Sequence, residues 1–238
     1  MKLIITIITA VLLTFTSSCV AKKKPKRIDK EVRTIEIKDT SGEFTLKGEV
    51  WADNWFAFYL GSRLIIEDSV PITTERSFNA ESFIFKANYP LSINFIIKDF
   101  KENDTGLEYI GSSRQQMGDG GFIAQFTDTK TGKIIAVSDS DWKCKVIHEA
   151  PLGNSCVNET KPQAGKKPCE FISLEEPRDW KEKDYNDSSW PSATTHSKSS
   201  VRPKDGYNQI NWNYKSKLIW SDNLETHNTI LCRIHISR

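Results

Sequence analysis

With 238 residues, the chain is long enough for one large all-β domain or two small ones. Its 33 basic and 31 acidic side chains nearly cancel, and no basic stripe follows the chain, so we expect no nucleic-acid partner. The positive charge is concentrated in residues 22–33, KKKPKRIDKEVR. We interpret this stretch as a solvated tether, with contact to an acidic membrane surface as the alternative.

The first 21 residues, MKLIITIITAVLLTFTSSCVA, have the pattern of an export signal. One lysine precedes an apolar run of about a dozen residues, which is short for a membrane span, and small polar residues follow it. Two endings remain open. Cleavage after Ala21 would release a secreted protein, whereas TSSC resembles a bacterial lipobox in which Cys19 would be lipidated and would anchor the protein to the cell envelope. Both endings predict an extracytoplasmic protein.

The other cysteines are even in number, which favours two disulfides in an exported chain. They are Cys144, Cys156, Cys169 and Cys232. Their spacing lacks the close CxxC pairs of a zinc ribbon. Three pairings are open to four cysteines. We favour Cys156–Cys169, which would close the loop rich in proline, glycine and lysine between them, with Cys144–Cys232 joining two strands.

From residue 34 onwards, short alternating segments separated by turn residues predict strands. In chain order these segments are RTIEIK, FTLKGEVWADNWFAFYLGSRLIIED, SFIFKANYPLSINFIIKDF, FIAQFTD, IIAVSD, DSDWKCKVIHE, KLIWSDN and HNTILCRIHISR. Gly61 suits a two-residue hairpin turn at LGSR, and Pro90 separates two strands because it cannot donate to a ladder. The pattern predicts an all-β sandwich or jelly roll.

Several of these segments occur in the order found in one family. ADNWFAFYLGSRLI resembles a strand and hairpin of galactose-binding-like β-sandwich domains, the jelly-roll modules attached to many bacterial glycoside hydrolases. DWKEKDYNDSSWPSAT closely resembles a second segment, and NYPLSINFIIKDF, GDGGFIAQF, IIAVSDSDWKC and LIWSDN…TILCRIHI are similar to others. The resemblance implies a single jelly-roll β-sandwich over residues 34–238. Residues 101–117 and 150–172 depart from the family and look inserted.

The resemblance also assigns structural roles to several large side chains. Arg233 resembles a buried arginine of the family, so we expect it to be the partner of a structural carboxylate such as Asp53. The tryptophans that coincide with the family's, and that we expect to be structural, are Trp142, Trp180, Trp190 and Trp220.

The aromatic stretch WFAFYL has two faces, because successive side chains of a strand point in opposite directions. The family pattern places Phe56, Phe58 and Leu60 in the core. Trp55 and Tyr59 lie on the other face, which often meets water in a sandwich, and we retain Trp55 as a candidate ligand contact.

Residues 99–121 form a long polar loop, and long polar loops at the end of a sandwich seldom exist for packing. Carboxylates and amides suit sugar hydroxyls, and arginine suits an acidic sugar or a sulfate. A solvated loop of no special role is the alternative. The candidate ligand-binding residues of the loop are Glu102, Asp104, Tyr109, Arg114, Gln116 and Asp119.

Oxygen ligands are dense at ENDTGLE, GDGG and SDSD, although none of these segments matches an EF-hand loop. Members of the resembling family sometimes carry a structural calcium. The candidate calcium ligands are Asp139 and Asp141, in the SDSD segment.

Catalytic motifs are missing from the sequence. The 4 histidines are scattered, and the chain contains neither HExxH nor a nucleophile elbow. We therefore expect a non-catalytic carbohydrate-binding module whose partner is a glycan or cell-surface polysaccharide. The alternative is a structural or adhesion module that binds a protein through an apolar face containing Trp55 and Tyr59.

Overall fold

A computed structural model describes residues 32–72, 79–99, 101 and 103–237. The predicted export segment with Cys19, residues 22–31 of the basic stretch and the candidate Glu102 lie outside the described residues. None of the helices in the described ranges has the length and apolar character needed to cross a membrane.

The described residues form strands with very little helix, which confirms the predicted all-β class. The strands are β1 (Thr34–Glu36), β2 (Phe44–Asp53), β3 (Trp55–Leu60), β4 (Arg63–Glu67), β5 (Ala80–Ala87), β6 (Leu91–Lys98), β7 (Leu107–Glu108), β8 (Gln116–Met117), β9 (Gly121–Asp128), β10 (Ile134–Val137), β11 (Lys143–Glu149), β12 (Ile172–Ser173), β13 (Thr194–His196), β14 (Leu218–Trp220) and β15 (His227–Ile236). The helical elements are α1 (Lys198–Val201) and the 3-10 turns Asn154–Asn158 and Tyr207–Gln209.

Two large sheets pack face to face as a β-sandwich. One has the strand order β1-β5-β2-β9-β14-β13, with β10 also paired to β9, and the other has the order β12-β11-β15-β6-β3-β4. Strand β1 runs parallel to β5, whereas the other pairs in these sheets are antiparallel. Asp53 pairs with Gly121 in the first sheet, and Trp55 pairs with Lys98 in the second. The ends of β2 and β6 and the start of β9 therefore meet at one end of the sandwich.

The space between the sheets is filled by side chains that alternate along the strands. Phe56 and Phe58 are fully buried, and Leu60 packs against the same cluster, which confirms the inward face predicted for β3. The Phe58 ring stacks on Phe95 with ring centroids 5.0 Å apart. Burial of each such ring contributes about 1.5–3 kcal/mol. The predicted two-residue turn after β3 is also present, with Gly61 at φ +58° and Leu60 paired with Arg63.

The other face of β3 is covered by the protein's own chain. Trp55 and Tyr59 are half-buried and pack in a cluster with Trp180 and Trp190, which lie in the turn-rich segment between β12 and β13. The Lys98 ammonium lies 5.2 Å from the centroid of the Trp55 ring. The apolar face expected to receive a protein partner is therefore largely occupied within the fold.

Arg233 is buried and pairs with a structural carboxylate, as the resemblance implies, but that carboxylate is Asp187 and not Asp53. Its guanidinium lies 2.6 Å from Asp187 Oδ2 and donates to the carbonyl of Glu182 at 2.9 Å. Asp53 lies instead beside the ammonium of Lys204. The physical reason is topological, because Arg233 on β15 faces the covering segment, whereas Asp53 ends β2 in the opposite sheet.

The four cysteines after the export segment form two disulfides, Cys144–Cys232 and Cys156–Cys169, the pairing that the sequence favoured. The first joins β11 to β15 at directly opposed positions. The second closes a short irregular segment with a sequence separation of 13. Disulfides of this kind are typical of proteins that mature in an oxidising environment outside the cytoplasm.

Candidate functional site

A cleft of about 450 Å³ opens beside the meeting point of β2, β6 and β9. Four of the predicted loop residues line it, and two further lining residues come from the segment that follows α1. The lining residues are Tyr109, Arg114, Gln116, Asp119, Arg202 and Lys204.

One wall of the cleft is a small hairpin inside the stretch that the sequence predicted to be a loop. Strands β7 and β8 pair Glu108 with Gln116, and the Gln116 amide donates to Glu108 Oε2 at 2.7 Å. Ser112 Oγ donates to the Tyr109 carbonyl at 2.7 Å and closes the turn between the two strands. These bonds and the burial of Leu107 order the hairpin, while residues 111–114 at its tip stay exposed.

Tyr109 and Arg114 interact directly at the rim of the cleft. The Arg114 guanidinium lies 4.4 Å from the centroid of the Tyr109 ring, within the range of a cation–π contact. Tyr109 has φ +52°, a left-handed conformation that is uncommon for a residue with a side chain and that occurs often at binding sites. The left-handed backbone sets the direction in which the Tyr109 side chain leaves the hairpin, and its ring contacts the guanidinium.

The disulfide-bonded segment supports this hairpin from outside. The Gln115 amide donates to the backbone carbonyls of Val157 and Glu159, both at 2.8 Å. The disulfide Cys156–Cys169 packs against Leu107 in a small separate hydrophobic cluster. Residues 101–117 and 150–172 therefore contact each other through this hydrogen-bonded and apolar support.

The second chain segment that lines the cleft follows the short helix α1. Ser197 caps it, since its Oγ accepts a hydrogen bond from the Ser200 backbone N–H at 3.0 Å. Val201 is buried in a cluster with Trp51 of β2. Arg202 ends the helix with φ +49°, a second left-handed residue in the lining. The segment is thereby fixed against the end of β2.

At this end of the sandwich three carboxylates lie close together, and two of them contact one ammonium. Oxygens of Asp53, Asp99 and Asp119 lie within 4.8 Å of one another. Lys204 Nζ lies 2.8 Å from Asp119 Oδ2 and 3.3 Å from Asp53 Oδ2. The Asn54 amide also donates to Asp53 Oδ1 at 2.8 Å. Three carboxylates in this arrangement could hold a metal ion, but the ammonium of Lys204 supplies a positive charge beside two of them.

Burial and neighbouring charges shift the pKa values of Asp53 and Lys204. Burial, and then the neighbouring Asp119 carboxylate, raise the pKa of Asp53 to about 8, although the Lys204 ammonium opposes the shift. Burial alone would lower the pKa of Lys204, but Asp53 and Asp119 outweigh it and raise that pKa. Lys204 is therefore charged at neutral pH, beside a carboxyl group that holds its proton more tightly than an exposed aspartate does.

Two of the predicted ligand-binding residues do not line the cleft. Asp104 Oδ1 lies 2.8 Å from Lys101 Nζ and 3.4 Å from Nε2 of the buried His148. The hydrogen bond from Lys101 lowers the pKa of Asp104 most strongly, so this carboxylate has a local structural partner. Trp55 lies in the covered cluster on the outer face of β3.

The predicted calcium ligands lie in a tight turn before β11. Asp139 Oδ1 accepts a hydrogen bond from the Asp141 backbone N–H at 3.0 Å, and burial raises the pKa of Asp139. Both residues border a groove other than the cleft. The three-carboxylate group found among the described residues does not include them, and calcium at Asp139 and Asp141 stays a prediction.

Sequence reasoning missed Arg202, Lys204 and Asp53 as members of the site, whereas Asp99 lies within the polar stretch 99–121 that it proposed. Lys204 and its partner Asp119 are 85 positions apart, so no local pattern connects them. Asp53 ends a strand whose other residues indicate core packing, and Asp99 immediately follows β6, a strand that is mostly apolar and buried. The only local signal is position, since Asp53 is the last residue of β2, and Asp99 and Arg202 come directly after β6 and α1.

Comparison with known proteins identifies no relatives. No protein-family model matches the chain, and no curated protein or solved structure matches it either. The β-sandwich therefore rests on the structure itself.

Proposed function

We propose that this protein is an exported, non-catalytic module of the galactose-binding-like type that binds a glycan in the cleft at the end of the sandwich. The observation that carries the proposal is the lining of the cleft. An aromatic ring, a guanidinium, an amide and a carboxylate converge there from Tyr109, Arg114, Gln116 and Asp119.

This combination suits the chemistry of sugars. A pyranose ring offers an apolar face that packs on an aromatic ring and a rim of hydroxyls that need planar donors and acceptors. The cleft is of the size at which proteins hold small ligands. Loops at the end of a rigid sandwich are a common place for such sites.

The lining is held in place before any ligand arrives. The Gln115 amide ties the hairpin to the disulfide-bonded segment, and Lys204 ties the segment after α1 to the end of β2. Groups that are already ordered lose little conformational entropy on binding, which favours affinity for a weakly binding ligand such as a sugar.

The position of the carboxylates supports binding rather than hydrolysis. Glycoside hydrolysis needs two carboxyl groups that flank the scissile bond. Asp53, whose raised pKa would suit a general acid, is fully buried beneath Asn54 and Lys204 and does not line the cleft. Among the described carboxylates, Asp119 alone lines it.

Export is the second part of the proposal. The two disulfides support an oxidising compartment, and the N-terminal segment has the pattern of an export signal. Release after Ala21 and lipid anchoring through Cys19 are both open forms of this proposal. Mass spectrometry of the mature N-terminus distinguishes them, since anchoring predicts an acyl mass on Cys19.

A protein-binding module remains the second candidate function, at a different surface. Leu152, Ile172 and Leu174 expose 43%, 45% and 51% of their surfaces, and all three belong to the segment around the disulfide Cys156–Cys169. Exposed apolar side chains grouped in this way favour a protein partner more than the covered face at Trp55 does.

A glycan array with the mature protein, with and without calcium, tests the proposal. We expect binding to at least one glycan class and its loss in Tyr109→Ala. The matched control is Tyr214→Ala, which removes an exposed tyrosine outside the cleft. Absence of binding to every glycan under both conditions would overturn the proposal, and binding to a protein partner that is lost in Leu174→Ser would favour the second candidate.

A further inference from the structure

Two arginines at the cleft have positive charges that the fold does not neutralise. Arg114 and Arg202 are exposed, and among the described residues neither lies within 4.0 Å of a carboxylate oxygen as an ion pair. Arg233 provides the contrast, since its buried guanidinium pairs with Asp187 and with backbone carbonyls. The two cleft arginines are therefore free to bind an anionic group from solution.

Both arginines are presented by ordered backbone. Arg114 is held over the Tyr109 ring at 4.4 Å. Arg202 lies at the end of α1, where its backbone N–H donates to the Lys198 carbonyl at 2.9 Å. The guanidiniums thus come from two chain segments that are far apart in sequence and line the same cleft.

The negative charges near the cleft lie below this rim and have partners of their own. Asp53 and Asp99 are 0% exposed and Glu108 is 1% exposed. Asp119, the carboxylate in the lining, lies 2.8 Å from the Lys204 ammonium. The carboxylates, with their compensating partners, therefore lie in the floor of the cleft, whereas the guanidiniums lie at its solvent-facing rim.

We infer that the cleft selects an acidic glycan, one whose sugar carries a carboxylate or a sulfate, and that Arg114 and Arg202 bind that anionic group. This inference rests on the proposed function. A guanidinium forms paired, charge-assisted hydrogen bonds with planar carboxylates and with sulfate oxygens, which gives it geometric selectivity that an ammonium lacks. Tyr109 would contact the sugar ring, and Gln116 a hydroxyl.

Titration calorimetry with a matched ligand series tests this inference. The ligands are a galactan trisaccharide, the corresponding galacturonan and a sulfated galactan, which share one sugar skeleton and differ in charge. We expect one or both acidic ligands to bind about tenfold or more tightly than the neutral one, because charge-assisted hydrogen bonds replace neutral ones. The preferred acidic ligand identifies the anionic group as carboxylate or sulfate.

Variants then show whether the named arginines are responsible. Arg114→Gln with Arg202→Gln should remove the preference for acidic ligands and leave weak neutral binding. The matched control is Arg178→Gln, because this arginine is 94% exposed in its side chain and lies outside the cleft. Both altered side chains are exposed, and circular dichroism of the double variant verifies that the fold is kept.

The remaining outcomes separate this inference from the proposed function. Equal affinity for neutral and acidic ligands would overturn the acidic preference and leave glycan binding in place. Equal binding of polyglutamate would also overturn it, since charge alone would then suffice. Absence of binding to all three oligosaccharides, with no binding on a glycan array, would overturn both.

Discussion

The ammonium of Lys204 lies 3.3 Å from the carboxylate of Asp53, a side chain with no solvent exposure. The same ammonium lies 2.8 Å from Asp119. One lysine thus joins the end of β2, the start of β9 and the segment after α1. Such a partner stabilises a buried carboxylate. If either group is removed, the charge or dipole of the other is left uncompensated in a medium of low polarity.

Lys204→Met should therefore destabilise the protein. We expect the free energy of unfolding to fall by about 2–4 kcal/mol, somewhat less than for a completely buried ion pair because Lys204 keeps some solvent contact. Denaturant unfolding at neutral pH measures the change. Lys215→Met is the control, since this exposed lysine lies beside Tyr214 and away from the three carboxylates. Equal stability of both variants and the wild type would show that the ion pairs contribute nothing.

The same variant should acquire a response to calcium. Without the ammonium, the oxygens of Asp53, Asp99 and Asp119 remain within 4.8 Å of one another, an arrangement that suits a hard cation. We expect millimolar calcium to raise the unfolding temperature of Lys204→Met more than that of the wild type. An equal rise in both proteins would instead indicate binding elsewhere, and its loss in Asp139→Asn would point to the calcium site predicted from the sequence.

Because of Asp68, the free energy of unfolding should decrease as the pH rises. Burial raises the pKa of Asp68 from 3.8 to about 8, so the folded protein keeps a proton that the unfolded chain releases above pH 4. This contribution is complete below pH 4, decreases up to about pH 8 and is constant above it. In Asp68→Asn, the decrease in the free energy of unfolding with rising pH should be smaller by about 1–3 kcal/mol.

Unfolding free energies at pH 5 and pH 8 measure this effect. The Asn oxygen can still accept the hydrogen bond that the Val70 backbone N–H donates to Asp68 at 2.9 Å. Asp53 contributes a fall in the same direction, so the variant keeps part of the dependence. Asp141→Asn, at an exposed position, is the control, and the idea fails if both variants show the wild-type difference between the two pH values.

Arg233→Met should cause one of the larger losses of stability. The Arg233 side chain is 3% exposed, and the variant would leave Asp187 and several carbonyls of the covering segment without their donor. We expect a loss of about 3–5 kcal/mol by denaturant unfolding. Arg178→Met, at a side chain that is 94% exposed, should change stability by less than about 0.5 kcal/mol. A small loss at Arg233 would mean that the covering segment is held by its tryptophans alone.

The core and four of the six residues that line the cleft were predictable because their signals are local. Phe56 and Phe58 alternate within one strand, and Tyr109 and Arg114 lie close together in one polar stretch. The partners of Arg233 and Lys204 were not predictable, because strand order decides which distant segments meet. Arg233 has a carboxylate partner as expected, but the partner is Asp187 rather than Asp53, because β2 and β15 belong to opposite sheets.

Removal of the disulfide Cys156–Cys169, by replacing both residues with alanine, should weaken glycan binding as well as stability. The closed segment carries the Val157 and Glu159 carbonyls that hold Gln115, so its loosening should disorder the hairpin of the cleft. We expect the free energy of unfolding to fall by about 3 kcal/mol, as for other disulfide-closed loops of this length. Removal of Cys144–Cys232 is the matched control, because it destabilises the strand pair β11–β15 without touching the cleft. Calorimetry well below both unfolding temperatures should then detect weaker binding in the first variant only, whereas equal affinities would show that the cleft does not depend on this support.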